Sequence, residues 1–445
     1  MPLLMQEISF NDGVAAVLDS LLSDRLVLLA GAGLSMASPS SLPSAATLAA
    51  SAKQKYGAMY GATRPPLPAG IEDQAEFFFQ RGELGTVYLR KLIDQHAFAG
   101  QPNDGHFAVA DLLLVRAIQT AITTNVDTLI ETAGQHLFGH VGSGIDRDHV
   151  AALPPDVSPL LKIHGCRSDP DSMVWALGQL GVPPIADRIA TSATWLNVRL
   201  LDRDLLIVGY WTDWDYLNEV LEATLGAVNP ARVIVVDPSD GSTFETKAPN
   251  LYTLGQRASI AFQHVQASGA DFLASLRCQF SKSFVRRVLH LGATEYISLF
   301  ESDPDAAWTE PSDMDNTTLW QLRRDLEGCP PNDPAKEKNP PNESLVGLTL
   351  LQLQACGAVP DGSYWLLNGR RVRVLRTANK LLHRVEAEFE RETPPTVAPD
   401  IVIAVGAEAQ ALPRNFARAE TQPTIARGSS SRWLTRPEAV QELGL

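Results

Sequence analysis

Residues Arg25–Ser35 read RLVLLAGAGLS, an apolar run that ends abruptly in Gly31-Ala32-Gly33. A continuous apolar run, as opposed to strict alternation, suits a strand buried on both faces of a parallel sheet. Glycines placed where such a strand meets a helix let the backbone turn tightly and approach a pyrophosphate, and the helix N-terminus offers free N–H groups. Met36 stands where the dinucleotide fingerprint has its third glycine, and a turn of this kind is also a common structural device.

Working outward, five more runs have the same character: Ala117–Thr123, Leu160–Ile163, Leu205–Val208, Arg232–Val236 and Ile260–His264. Between them, helical periodicity covers Ala46–Lys55, Ile71–Arg81, His106–Arg116, Tyr216–Leu225 and Asp271–Leu289. Strands alternating with helices predict an α/β, doubly wound, Rossmann-like fold on a six-stranded parallel sheet.

The strand ends carry the polar residues. The second run closes in Thr123-Thr124-Asn125-Val126-Asp127, the third in Lys162-Ile163-His164-Gly165, the fourth in Gly209-Tyr210 and the fifth in Asp237-Pro238. Asn125 and Asp127 also suit a plain helix cap, and a lone histidine is more often a core or surface residue. Doubly wound sheets bind ligands at the carboxyl ends of their strands, and an acidic residue there accepts from ribose hydroxyls. The conjunction of Gly, Asn, His and Asp along one edge favours a site.

The ordered set Gly31-Ala32-Gly33-Leu34-Ser35, Thr124-Asn125-Val126-Asp127 and Lys162-Ile163-His164-Gly165 resembles the GAGxS, xNxD and HG motifs of the sirtuin (Sir2) superfamily, over residues 20 to about 285. The resemblance implies a sirtuin-type sheet that takes NAD as substrate. Gly31, Gly33 and Ser35 would lie at its phosphates, Asn125 and Asp127 by the nicotinamide ribose, and Ala32 and Thr124 would also bind it. Gly209 and Tyr210 would also contact it, with Asp237 at the adenosine end. Asn125 and His164 would be catalytic, His164 as general base or as partner of a ribose hydroxyl.

Departures from the family sharpen the expectation. Deacylating members carry two CxxC pairs for zinc after the HG motif, whereas only Cys166 lies there, so no zinc is expected. Ser41-Leu42-Pro43-Ser44 replaces the usual GIPDFR, and no peptide-docking segment is recognisable between Gly165 and Arg203. Loss of protein-substrate features with retention of cofactor features resembles the NADase effectors of bacterial antiphage defence. That similarity implies NAD+ hydrolysis in a homo-oligomer or with a partner, a HerA-type ATPase ahead of a short Argonaute. The rival readings are an NAD-dependent deacylase or ADP-ribosyltransferase, and a non-catalytic NAD or ADP-ribose sensor.

Composition bounds the rest. A chain of 445 residues exceeds one ordinary core, and 37 basic against 51 acidic residues give a net charge of −14, against direct nucleic-acid binding. The four cysteines form no CxxC pair; the first residues lack a basic, then apolar, leader, and no run is long enough to span a membrane. A cytoplasmic protein is expected. The expected domains are residues 1–295, the nucleotide fold; 296–342, an acidic and Pro-rich linker; and 343–445, a smaller α+β assembly or partner-binding module. The last holds a helix over Leu345–Val359 and a hairpin over Tyr364–Arg376 turning at Asn368-Gly369, a pair that favours a type I′ turn. Four arginines on the hairpin (Arg370, Arg371, Arg373, Arg376) keep a phosphate-binding, winged-helix alternative open.

Overall fold

The structure, a computed structural model, describes residues 5–209, 232–257, 261–335, 343–393, 397–409 and 431–445. The chain divides into two compact units, Met1–Leu276 and Arg277–Leu445.

The first unit is built on eight parallel strands: β1 (Gln6–Glu7), β2 (Leu26–Ala30), β3 (Thr120–Thr123), β4 (Ser143–Gly144), β5 (Leu160–Lys162), β6 (Asp204–Val208), β7 (Arg232–Asp237) and β8 (Ala261–Gln266). Their order is β1-β8-β7-β6-β2-β3-β5-β4. Each of the six expected runs holds a strand. The two additional strands are two-residue edge pieces, too short to show any periodicity. Every residue of β2, β3, β5 and β6 is buried, as double-sided cover requires. Alternate residues share one face: Val27 and Leu29, Leu205 and Ile207, Val233 and Val235 join a core with Trp195 and Leu196 of the helix Ile185–Leu200.

From β2 the chain proceeds to β3 on one side, and from β6 to β7 on the other. The order therefore reverses between β2 and β6, and the crevice at their carboxyl ends is where such sheets take ligands. A helical layer lies between β2 and β3. Ala45–Tyr60, Ile71–Phe79 and Leu84–Leu92 bury Tyr56, Phe78 and Tyr88 with Trp175. The helix expected over Tyr216–Leu225 lies outside the described residues.

The second unit begins within the helix Gly269–Phe300, upstream of the boundary expected at residue 295. The stretch 296–342, read from composition as linker, contains the helix Asn316–Glu327. Leu319, Leu322 and Leu326 of that helix are fully buried. Burial of three such side chains contributes roughly 1.5–3 kcal/mol each toward the cost of ordering the helix. Composition failed here because the helix is short and carries few apolar residues, all on one stripe.

The same unit holds a five-stranded mixed sheet in the order β13-β12-β11-β10-β9. Its strands are β9 (Val359–Asp361), β10 (Tyr364–Leu367), β11 (Arg370–Arg376), β12 (Ile401–Val405) and β13 (Arg432–Thr435). The expected hairpin is present: β10 and β11 are antiparallel, and Asn368 and Gly369 hold φ of 50° and 77°, as a type I′ turn requires. β12 and β13 run parallel to β11. The hairpin thus lies inside a larger sheet, between β9 and β12, which removes the winged-helix pattern. Its arginines face acids: Arg371 pairs with Asp361, Arg373 with Asp325 and Glu392, and Arg376 with Glu343. Three of the four are therefore already neutralised, against the phosphate-binding alternative. Among the described residues, no helix is long and apolar enough to cross a membrane.

Candidate active site

Three strand ends meet in one cavity. Ala32 and Ser35 follow β2; Thr124, Asn125, Val126 and Asp127 follow β3; His164 follows β5. Leu42, Phe98 and Trp175 supply apolar wall. The chain from Gly31 turns at once into the short helix Gly33–Met36. Gly31 N–H donates to Val208 O and Gly33 N–H to Gly209 O, both at 2.9 Å. Gly33 and Gly209 thus stitch the two sides of the crevice together.

Ser35 is the hub of the site. Its hydroxyl donates to Asp127 Oδ2 at 2.7 Å and accepts from Asn125 Nδ2 at 2.9 Å. His106 Nε2 lies 3.1 Å from the same oxygen. A hydroxyl has one proton and two lone pairs, so these three partners fill it. Ser35 was expected at a ligand phosphate; in this structure its hydrogen-bonding capacity is spent on organising Asn125 and Asp127. Asp127 is equally committed, since its Oδ1 accepts from Leu129 N–H at 3.0 Å at the start of the next helix. Beneath it, the buried Lys162 ammonium donates to Asp127 O and, at 3.0 Å, to Glu131 Oε1.

Asn125 presents the one uncommitted group among these. Its N–H donates to Thr123 Oγ1 at 3.0 Å and its side-chain amide N–H to Ser35, while Oδ1 is buried and has no hydrogen-bond partner. A buried acceptor without a donor costs about 1–3 kcal/mol until one arrives. That orphaned oxygen fits a ligand bearing hydroxyl donors, as ribose does.

His164 is held by its backbone. Gly165, at φ +87°, brings the chain so close to Ser172 that a Cβ there would lie 2.3 Å from Ser172 O. Val174 N–H donates to His164 O at 3.0 Å, and Arg188 Nη2 to Ile163 O at 3.2 Å. Burial, aided by the Arg188 charge, pushes the His164 pKa down to about 3, so the ring is neutral at physiological pH.

Of the other expected residues, Gly31, Gly33 and Gly209 stand behind the cavity as its support. Asp237 is buried at the end of β7, outside the cavity lining, with Ser239 N–H donating to its Oδ1 at 2.7 Å. Burial pushes its carboxyl pKa up. Tyr210 lies outside the described residues. Sequence reading missed His106 and Asn103. The detectable signal was a capping box, Asn103 capping the helix Asp104–Leu114 with His106 at its third position.

Residues 119–254 match the SIR2-like domain family. A solved Sir2 enzyme is 14% identical, covers 61% of this chain and 99% of its own, and has a TM-score of 0.35. A Sir2 solved with a p53 peptide and NAD+ is 15% identical, covers 59% of this chain and 97% of its own, also with a TM-score of 0.35. No curated protein matches the chain. The matched stretch, similar to a SIR2-like domain, carries Asn125, Asp127 and His164 of the cavity wall, whereas Ala32 and Ser35 lie before it.

Proposed function

We propose that the SIR2-like domain hydrolyses NAD+ at the nicotinamide–ribose bond. The observation that carries hydrolysis over deacylation is the state of the cavity wall at Met173–Gly178. Trp175 and Ala176 N–H both donate to Gln179 Oε1, at 2.7 and 2.9 Å, and Val174 N–H to His164 O. Gly178 N–H donates to Glu76 Oε2 at 2.8 Å. A peptide docking as an added strand needs free backbone donors, and Val174, Trp175, Ala176 and Gly178 have spent theirs within the domain.

For a small substrate the residues fit. Asn125 Oδ1 accepts from a ribose hydroxyl or from the attacking water. His164, neutral, is a hydrogen-bond partner for a second hydroxyl, the role its low pKa favours over that of general base. Ala32, on the cavity wall at the Gly31–Gly33 turn, would approach the phosphates, and Asp237, outside that wall, would take the adenosine end. In the reaction, the bond from ribose C1′ to the pyridine nitrogen breaks and its electron pair cancels the ring's positive charge. A water oxygen then bonds to C1′ and its proton passes to solvent. The chain's task is to orient the ribose and stabilise charge, which needs no metal-bound nucleophile. We further propose an effector role in defence, with control by homo-oligomerisation or by a HerA-type ATPase or short Argonaute partner. Arg277–Leu445 would be the assembling part.

The test is NAD+ turnover by the full chain, with nicotinamide and ADP-ribose quantified. Asn125→Ala and His164→Ala are each expected to lower turnover by about 100-fold with the melting temperature retained. Turnover that depends on an acylated peptide would restore the deacylase reading. Binding of NAD+ or ADP-ribose without any turnover would make the domain a sensor.

A further inference from the structure

We propose that His106, which does not line the cavity, is the positioning residue that fixes how Asn125 presents its amide to a ligand. The inference rests on the same site as the hydrolase reading, but its first step concerns only the resting protein.

The argument starts at the helix cap. Asn103 N–H donates to His106 Nδ1 at 3.2 Å, while Asn103 Oδ1 accepts from His106 N–H at 3.1 Å. A ring nitrogen that accepts carries no proton, so the neutral ring has its hydrogen on Nε2. Burial pushes the His106 pKa down to about 4, with the Asp127 charge opposing, so the ring stays neutral through the physiological range.

That tautomer decides the polarity of everything beyond it. Nε2–H donates to Ser35 Oγ, occupying one lone pair, and the Ser35 proton is then directed to Asp127. The remaining lone pair accepts only a donor, which forces Asn125 to turn its NH2 toward Ser35 and leaves Oδ1 uncommitted. With the proton on Nδ1 instead, Nε2 would compete with Asp127 for the Ser35 hydroxyl proton. Ser35 would then have spare acceptors, and nothing would define the face that Asn125 shows. Asn103 contributes a second tie: its Nδ2 donates to Leu34 O at 2.8 Å, fixing the cap against the Ser35 turn. The network joins Ser35 to residues 71 and 90 positions away in the chain, so a local helix cap sets the polarity of a tertiary contact.

The experiment uses the full chain and two variants, His106→Phe and His106→Gln. Glutamine at this place can accept from Asn103 N–H through Oε1, as in an ordinary capping box, and donate to Ser35 through Nε2. Long-range 1H–15N correlation of histidine-labelled wild type is expected to show His106 as the Nε2–H tautomer near neutral pH. An Nδ1–H or charged ring overturns the proposal, whatever the enzyme does with NAD+. In turnover, His106→Phe is expected to lose about tenfold in kcat with a smaller change in KM, and His106→Gln to recover most of it. Combined with Asn125→Ala, His106→Phe is expected to add little further loss, because its effect acts through Asn125. Fully additive losses, or no rescue by glutamine in a folded variant, sink the positioning role. Wild type without NAD+ turnover would defeat the hydrolase reading and leave the tautomer measurement to judge this one.

Discussion

A Cβ on Gly209 would stand 2.7 Å from the amide nitrogen of Leu34. Gly209 also holds φ +61°, and its other near neighbours are Gly33 backbone atoms, so nothing on that side can rotate away. The residue after β6 therefore sets how closely the turn after β2 can pack.

Gly209→Ala is expected to cost about 1–3 kcal/mol of stability, through clash and left-handed backbone together. Because Leu34 adjoins Ser35, affinity for ADP-ribose should fall with it. Thermal melting and calorimetric titration check both. An unchanged melting temperature with unchanged affinity would show that the crevice has more slack than these distances allow.

Three buried histidines predict how stability responds to acid. The pKa is pushed down to about 4 at His106 and about 3 at His164, and it is lowered at His264, in each case chiefly by burial. Unfolded histidine titrates near 6.5, so between that pH and the folded values the unfolded chain binds protons that the native state refuses. Stability is then greatest above about pH 6.5 and falls as the pH drops toward 4, by several kcal/mol in total. Chemical denaturation at pH 7.5, 6 and 5 measures this. His164→Asn should flatten the slope, and an equally steep wild-type-like slope in that variant would contradict the shift assigned to His164.

In the second unit, Arg373 donates to both oxygens of Asp325 at 2.7 Å and to Glu392 at 2.7 and 3.0 Å. All three side chains are largely buried. Arg373→Met removes the only cation of that group and strands two carboxylates, which should cost about 3–5 kcal/mol. Replacing Arg373, Asp325 and Glu392 together by apolar residues of similar size should be milder than the single change. A loss below about 1 kcal/mol in Arg373→Met would mean that solvent reaches the carboxylates.

Metal should play no part in stability. Among the described residues no group of three His, Cys, Asp or Glu is arranged to hold an ion, and Cys166 has Ser168 as its hydrogen-bond neighbour. A chelator is expected to leave the melting temperature unchanged, with elemental analysis well below one zinc per chain. Stoichiometric zinc would reopen the deacylase reading.

Much of this was legible because it is local. The runs at Arg25–Leu29 and Leu205–Val208 announce buried strands, and Gly31, Asn125 and His164 follow strands whose carboxyl ends must share an edge. Asn368-Gly369 specifies its turn by backbone conformation alone. By contrast, β1 and β4 exist only because a longer strand offers them hydrogen bonds. The arginine-rich β11 looks basic in sequence, yet Arg373 points at acids 48 and 19 positions away. Ser35 reads in sequence as a phosphate ligand, and only the fold shows its hydroxyl meeting Asn125, Asp127 and His106. Periodicity and turn chemistry are properties of neighbouring residues, so the strands, the turns and the edge that carries the candidate site are readable from the chain alone. Which polar atom satisfies which other depends on register between distant segments, and it takes the packed fold to leave Asn125 Oδ1 open.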